Sequence, residues 1–231
     1  MARRPRLCLP QHPHLVLQRA AAGVDAFVDD ADYQAYMQRL AAAAPKRGVQ
    51  IHGWALLPGA AWLLLTPADC AGLSTLMQEL ARGASRTRAT GVCGLWDGRF
   101  RSALLQPGPL VLQALLAVDQ VAALEGVVAD AATWRYSSLA HHAGGRADAL
   151  LREAAEYWAL GNTPYAREAA FRAELAAGTA ARAWPRLRAA VLAGVALGDA
   201  AFLDVAAQAL GRAVASGRRG RPKRDVQSVP N

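Results

Sequence analysis

The sequence contains little cysteine, and its cysteines lie far apart. Only three occur in 231 residues, at Cys8, Cys70 and Cys93, and none has a close neighbour of its kind. Disulfide frameworks and zinc ribbons both need cysteines in short, repeated spacings. The pattern therefore predicts neither kind of site, and it favours a reducing, cytoplasmic location.

Long apolar runs are missing as well. The stretch Leu110–Val118 is interrupted by Gln113 and followed by Asp119, so it is shorter than the roughly 20 residues that a membrane-spanning helix needs. The arginines that open the chain precede no apolar run of signal-peptide length. We expect neither a membrane anchor nor export.

Common enzyme signatures are also absent. The chain has no phosphate-binding glycine loop, no Gly-x-Ser-x-Gly turn and no carboxylate pair with a supporting pattern, which excludes the best-marked classes of nucleotide-binding enzyme and hydrolase. With 53% hydrophobic and 19% charged residues, the chain can nevertheless bury a sizeable core.

Acidic residues are outnumbered by basic ones. Lysine and arginine total 26 against 18 acidic residues, which gives a formal charge of +8. The ends hold the excess, because residues 1–6 carry three arginines and residues 218–224 carry five basic side chains. The chain between them has 18 basic and 17 acidic residues and is nearly neutral. Basic ends on a neutral body predict a polyanionic partner.

Apolar periodicity predicts the order of elements over residues 10–125. We expect a strand, a helix, a hairpin that turns at Pro58-Gly59, a helix, a strand and a helix. The predicted ranges are 14–19, 31–44, 49–57 with 61–66, 69–86, 99–105 and 110–124. This order predicts an α+β fold of the ferredoxin-like kind, in which helices cover an antiparallel sheet.

The chain from about residue 146 is predicted to be all-helical. Helices are expected over 147–160, 163–177, 184–196 and 199–214, with Thr163-Pro164 as a helix start and Ala-Leu-Gly triplets as helix ends. The predicted domains are 1–145 for the α+β unit, 146–215 for the helical region and 216–231 for a disordered basic tail.

The tail contains the core of an AT-hook, Arg219-Gly220-Arg221-Pro222-Lys223. In one interpretation it lies extended in the narrow minor groove of A·T-rich DNA, where arginines meet concentrated negative potential. In the other it is a solvated tail that any polyanion attracts.

A second basic segment lies in the middle of the chain. Its arginines could clamp phosphates while its aromatics stack on bases; alternatively, the aromatics belong to the core and the arginines to a solvated face. The segment comprises Arg82, Arg86, Arg88, Arg99 and Arg101, with Trp96 and Phe100 between them. Among the histidines, His52 is expected in the core, and the pair His141-His142 has no ligand partner at nearby spacing.

Several segments taken in order resemble one family. They are Pro5-Arg6, His14–Arg19, Phe27–Tyr33, His52–Pro58, Leu73–Gln78, Leu95–Ser102, Val128–Asp130, Trp134 with Ser137-Ser138, and the Gly-Arg-Pro of the tail. Together they resemble the REP-associated tyrosine transposases, a branch of the single-tyrosine HUH (IS200-like) transposases of bacterial mobile elements. The likeness spans nearly the whole chain.

The resemblance implies a ferredoxin-like domain that binds hairpin ends in single-stranded DNA. It also implies a divalent metal, held by two strand histidines, and a helix tyrosine that attacks the phosphate. Where the family reads Met-Pro-Asn-His-x-His-Leu-Leu-Leu, this chain has Ala60 and Trp62 at the two ligand positions. Residues 77–96, where the nucleophile is expected, hold no tyrosine, and Ala84 or Thr87 stands nearest its place.

The sequence therefore predicts a transposase-like DNA-binding protein that no longer cleaves DNA, a pseudoenzyme with neither catalytic residues nor a metal. One alternative is a repurposed or decaying homologue that acts through protein contacts. Another is an active enzyme with a relocated site at His12, His14 or His52 and a distant tyrosine. The residues predicted to bind DNA are Arg3, Arg4, Arg6, Arg19, Arg99, Arg101, Arg219, Arg221 and Lys223.

Overall fold

The structure is a computed structural model that describes residues 6–87 and 94–215, with the backbone alone at 86 and 87. The strands are β1 (His14–Arg19), β2 (Val49–Leu57), β3 (Ala60–Pro67), β4 (Arg101–Leu105) and β5 (Ala196–Leu197). The helices are α1 (Asp30–Lys46), α2 (Cys70–Thr87), α3 (Pro109–Leu124), α4 (Leu139–His142), α5 (Ala155–Trp158), α6 (Pro164–Ala176), α7 (Thr179–Ala193) and α8 (Ala200–Leu210).

The strands form one sheet in the order β2-β3-β1-β4-β5. The first four strands pair antiparallel, and β5 runs parallel to β4. The hairpin of β2 and β3 turns at Pro58-Gly59 as predicted, because these residues favour a tight reversal between two apolar runs. The predicted α+β class is confirmed.

Each face of the sheet carries its own core. Along β3, Ala61, Leu63 and Leu65 belong to the cluster that includes residues of α1 and α2. The alternate residues Trp62 and Leu64 belong to the cluster with α3 and α7. Successive side chains of a strand point to opposite faces, so an unbroken apolar run predicts a strand covered on both sides.

Local signals mark two helix starts correctly. The Asp29 carboxylate accepts a hydrogen bond from the Asp32 backbone N–H at 3.0 Å and caps α1. The Thr163 hydroxyl does the same for Ala166 at 3.2 Å, with Pro164 as the first residue of α6. Both caps satisfy backbone donors that the first turn of a helix leaves unpaired.

The helix predicted over 147–160 is wrong for most of its length, since only α5 forms there. The preceding chain runs along the edge of β2, where Arg152 N–H donates to the Ile51 carbonyl at 2.8 Å. The Asp148 carboxylate also accepts from the Trp54 indole at 2.8 Å. These tertiary contacts outweigh the helix propensity of an alanine-rich segment.

The helices predicted over 184–196 and 199–214 form with different bounds, as α7 (Thr179–Ala193) and α8 (Ala200–Leu210). Gly194, with φ of 68°, ends α7, and Ala196 and Leu197 then pair with Leu104 and Leu105 instead of continuing a helix. The Ala-Leu-Gly triplet at 209–211 does end a helix, because Gly211 adopts the left-handed conformation at the end of α8. The domain boundary at 145/146 stays a prediction, although α7 packs on α3 and β4.

The expectation of no disulfide was wrong, because Cys8 and Cys70 are bonded. The two lie 62 residues apart in sequence, and the fold brings the segment before β1 beside the first residue of α2. A spacing rule detects only local pairs. Within the described ranges, no helix is both long and apolar enough to cross a bilayer.

Candidate nucleic-acid interface

A basic groove of about 640 Å³ lies along the outer edge of β4. We call it the β4 groove. It takes its lining from the start of the described chain, the beginning of β4, the end of α7 and the segment after α8, and none of the lining residues is acidic. Its residues are Arg6, Leu7, Arg99–Ser102, Val191–Val195 and Arg212–Ala215.

The groove exists because β5 is short. It pairs only with Leu104 and Leu105, so Arg101 and Ser102 at the start of β4 border the groove instead of another described strand. The segment after α8 closes the opposite wall, and the Ala196 N–H holds it by donating to the Val214 carbonyl at 2.8 Å.

Arg6 is fixed against Phe100 at one end of the groove. Its Nε–H donates to the Phe100 carbonyl at 3.0 Å, and its guanidinium lies 3.7 Å from the centre of the Phe100 ring. Phe100 is itself buried, so the aromatic is a core residue, as one interpretation of the basic segment predicted. The same contact positions an arginine at the surface.

Arg101 is the first residue of β4, and Arg99 lies two residues before it. Arg101 donates from Nη1 to the Leu192 carbonyl at 3.0 Å, which ties the strand to the last turn of α7. Arg99 is exposed. The groove is completed by Arg212, which sequence reasoning missed. Arg212 is an isolated arginine after the glycine that ends α8, and no local pattern distinguishes it.

The remaining arginines that were predicted to bind DNA divide into two groups. Arg19 lies outside the groove, in an ion pair with Asp97 in which both side chains are about half exposed. The others lie outside the described residues; they are Arg3, Arg4, Arg219, Arg221 and Lys223.

The two positions where the resembling family carries metal ligands are apolar and packed. Trp62 is 3% exposed, and its ring meets the Trp184 ring edge-on with 4.9 Å between their centres. Trp184 is held in turn by a hydrogen bond from its indole N–H to Glu125 at 3.1 Å. Ala60 is partly buried against the same cluster. An indole and a methyl group offer no ligand to a hard cation.

The candidate histidines serve the fold. His14 is fully buried, with Nδ1 at 2.7 Å from the His12 carbonyl and Nε2 accepting from the Leu9 N–H at 3.4 Å. Burial lowers the pKa of His14 to about 4. His52 contacts the Arg152 carbonyl and the Thr66 hydroxyl, and burial lowers its pKa too. Both rings are therefore neutral near pH 7, with each nitrogen in use.

A buried network around His142 was not predicted. Its Nδ1 lies 2.7 Å from the Asp119 carboxylate, which also accepts from the Ser138 hydroxyl. Ser138 accepts in turn from the Trp54 N–H at 2.9 Å, so the network ties α3 and α4 to β2. Asp119 is too distant in sequence for a spacing rule to pair it with His142. Among the described residues, no group of three or more His, Cys, Asp or Glu side chains could hold a metal.

Three of the five tyrosines, Tyr33, Tyr36 and Tyr157, are buried in the core. Ala84, near the position expected for the nucleophile, is buried. Burial raises the pKa of Tyr33 and of Tyr157 to about 12 and that of the fully buried Tyr36 further. These phenols are therefore protonated at neutral pH. Tyr165 is 82% exposed on α6.

No protein-family model matches the chain, and no curated protein matches it. Among solved structures, a REP-associated tyrosine transposase bound to a REP hairpin is similar, with a TM-score of 0.54 and 12% identity over 66% of this chain and 98% of that one. A candidate transposase from Deinococcus radiodurans R1, solved at 1.90 Å, has a TM-score of 0.35 and 15% identity over 46% of this chain and 88% of that one. At such identities the first likeness shows a shared fold alone.

Proposed function

We propose that this chain is a transposase-like DNA-binding protein that has lost the chemistry of strand cleavage. Its expected ligands are single-stranded DNA and hairpin ends, with the basic tail adding affinity for A·T-rich minor grooves. DNA binding and the loss of catalysis are supported by different features of the molecule.

The packing of Trp62 supports the loss of catalysis. Its ring is enclosed between β3 and α7 against Trp184, so a metal ion there would displace core side chains. Metal-assisted phosphoryl transfer requires a cation that polarises the phosphate and a nucleophile in line with it. Neither group has a candidate at the positions that the resemblance specifies.

The arginines of the β4 groove and the charge of the chain ends support DNA binding. Arginine is suited to phosphate because its planar guanidinium donates two parallel hydrogen bonds. The similar transposase was solved bound to a REP hairpin, and we extend a hairpin ligand to this chain as part of the proposal.

Fluorescence anisotropy with labelled hairpin, single-stranded and duplex DNA tests the proposed DNA binding. We expect affinity to fall with rising salt, because bound arginines displace counterions from the phosphates. The absence of binding, or an affinity that does not change with salt concentration, would refute the proposal of DNA binding.

A cleavage assay on the same hairpin, with Mg²⁺ or Mn²⁺, tests the proposed loss of catalysis. We expect no nicked product and no covalent protein–DNA adduct after denaturing electrophoresis. An adduct that depends on the metal would show that an active site survives, and Tyr165→Phe would then test the exposed tyrosine as its nucleophile.

A second candidate function is protein contact through the C-terminal helices. Trp158 is 54% and Tyr165 is 82% exposed, and large exposed aromatics are common at binding hot spots. The DNA titration distinguishes the two candidate functions, because a protein that acts through protein contacts alone should show no salt-dependent binding to any of the three forms of DNA.

A further inference from the structure

We infer that the β4 groove is where the chain binds the sugar–phosphate backbone of DNA. The inference rests on the DNA binding proposed above, to which it adds a location. It follows from the groove's charge and from how its arginines are held.

The charge of the groove favours an anionic chain. Four arginines from three separate parts of the sequence line one groove of about 640 Å³ without an acidic lining residue. Like charges collected in one cleft repel one another, and the field of such a cleft is focused by its low-dielectric walls. A phosphate backbone relieves that repulsion along its whole length, whereas a single small anion would do so at one point.

The groove is also organised before any ligand arrives. Stacking on Phe100 holds Arg6, and the Leu192 carbonyl holds Arg101 through one of the five N–H donors of its guanidinium. Fixed donors lose less conformational entropy on binding than free side chains do. Arg99 stands exposed between these two anchored arginines in the chain order.

An Arg99→Gln variant tests the location, with Arg186→Gln as the matched control. Arg186 is exposed on α7 but does not line the groove, so both changes remove one surface charge. For Arg99→Gln we expect the slope of log K against log salt to shrink by about 0.7 to 0.9. When the affinities of the variant and the unaltered protein are extrapolated to the same value at 1 M salt, this change of slope makes the variant bind about five- to eight-fold more weakly at 0.1 M salt.

The control should keep the unaltered affinity and slope. If Arg99→Gln also keeps both, DNA binds elsewhere and the location is wrong, while the proposed function stands. If the unaltered protein shows no salt-dependent binding, the proposed function itself fails. Because Arg99 is exposed, circular dichroism should show the same fold for both variants.

Discussion

Trp62 shows what one residue decides at the centre of the sheet. A histidine at this position would need open space and a second ligand, whereas the indole fills the space between β3 and α7 and contacts Trp184. The apolar ring thus makes this position part of the core. A histidine in its place would leave a cavity and an unpaired polar group.

Because Trp62 is buried, we expect its side chain to contribute to the stability of the fold. Trp62→Ala should lower the free energy of unfolding by about 3–5 kcal/mol, because it removes a large buried ring and leaves a cavity. Urea denaturation followed by circular dichroism measures the change.

The control is Trp158→Ala, in which the ring that is lost is 54% exposed. It should cost less than about 1 kcal/mol. Equal losses in the two variants would contradict the assignment of Trp62 to the core.

The burial of His14 should make the free energy of unfolding depend on pH. Its pKa is about 4 in the folded chain and 6.5 ordinarily, with burial as the main cause. Between these values the unfolded chain binds the extra proton and the folded chain does not, so stability is present above pH 6.5 and is lost as the pH falls to 4. The loss is about 3 kcal/mol.

Urea denaturation at pH 7, 5.5 and 4 checks this dependence, and His14→Gln should flatten it. Some slope should remain, because burial also lowers the pKa of His52. Hydrogen bonds from Tyr136 to Asp30 and from the Phe202 N–H to Asp199 lower the pKa of each carboxyl from its ordinary value, so the stability that these bonds contribute is lost only in more acidic solution. A variant with an unchanged pH profile would show that His14 is not the group that titrates.

At the scale of elements, the segment before β1 joins distant parts of the fold. It carries Arg6 at the β4 groove, buries Leu7 against Leu104 and Val214, and then bonds Cys8 to the start of α2. The packing of Leu7 and the disulfide bond of Cys8 therefore fix this segment on the fold. These contacts explain how a stretch without regular secondary structure can position Arg6.

The Cys8–Cys70 bond should contribute measurably to stability. A cross-link between residues 62 apart in sequence restricts the unfolded chain, which is worth up to about 4 kcal/mol in the chain-entropy model. Thermal or urea unfolding with and without dithiothreitol should show a loss of that order on reduction. The double variant Cys8→Ser/Cys70→Ser should be insensitive to the reductant, and a loss of the same size in that variant would exclude the bond as the cause.

At the scale of the whole molecule, positive charge is unevenly distributed. The excess that gives the formal charge of +8 lies in the two ends of the sequence, around a nearly neutral body. Within the described residues, four arginines line the β4 groove without an acidic lining residue. Salt should therefore weaken DNA binding strongly while it changes the stability of the fold little.

Local signals in the sequence predicted much of the fold and part of the site. The hairpin at Pro58-Gly59, the cap at Asp29 and the start at Thr163 depend on residues within a few positions of each other, so a pattern can reveal them. Arg99 and Arg101 were likewise found as neighbours in a basic segment. Arg212 was not, since nothing near it in the chain marks it.

By itself, the sequence determined the α+β class, the order of the elements as far as α3, the basic ends and the absence of histidines at positions 60 and 62. Tertiary structure decided the Cys8–Cys70 bond, the extended path before α5, the pairing of β5 with β4 and the groove that collects the arginines. The physical reason is distance along the chain. Periodicity and capping act within one or two turns, whereas these features join residues tens of positions apart, and only the packing of the whole chain brings such residues into contact.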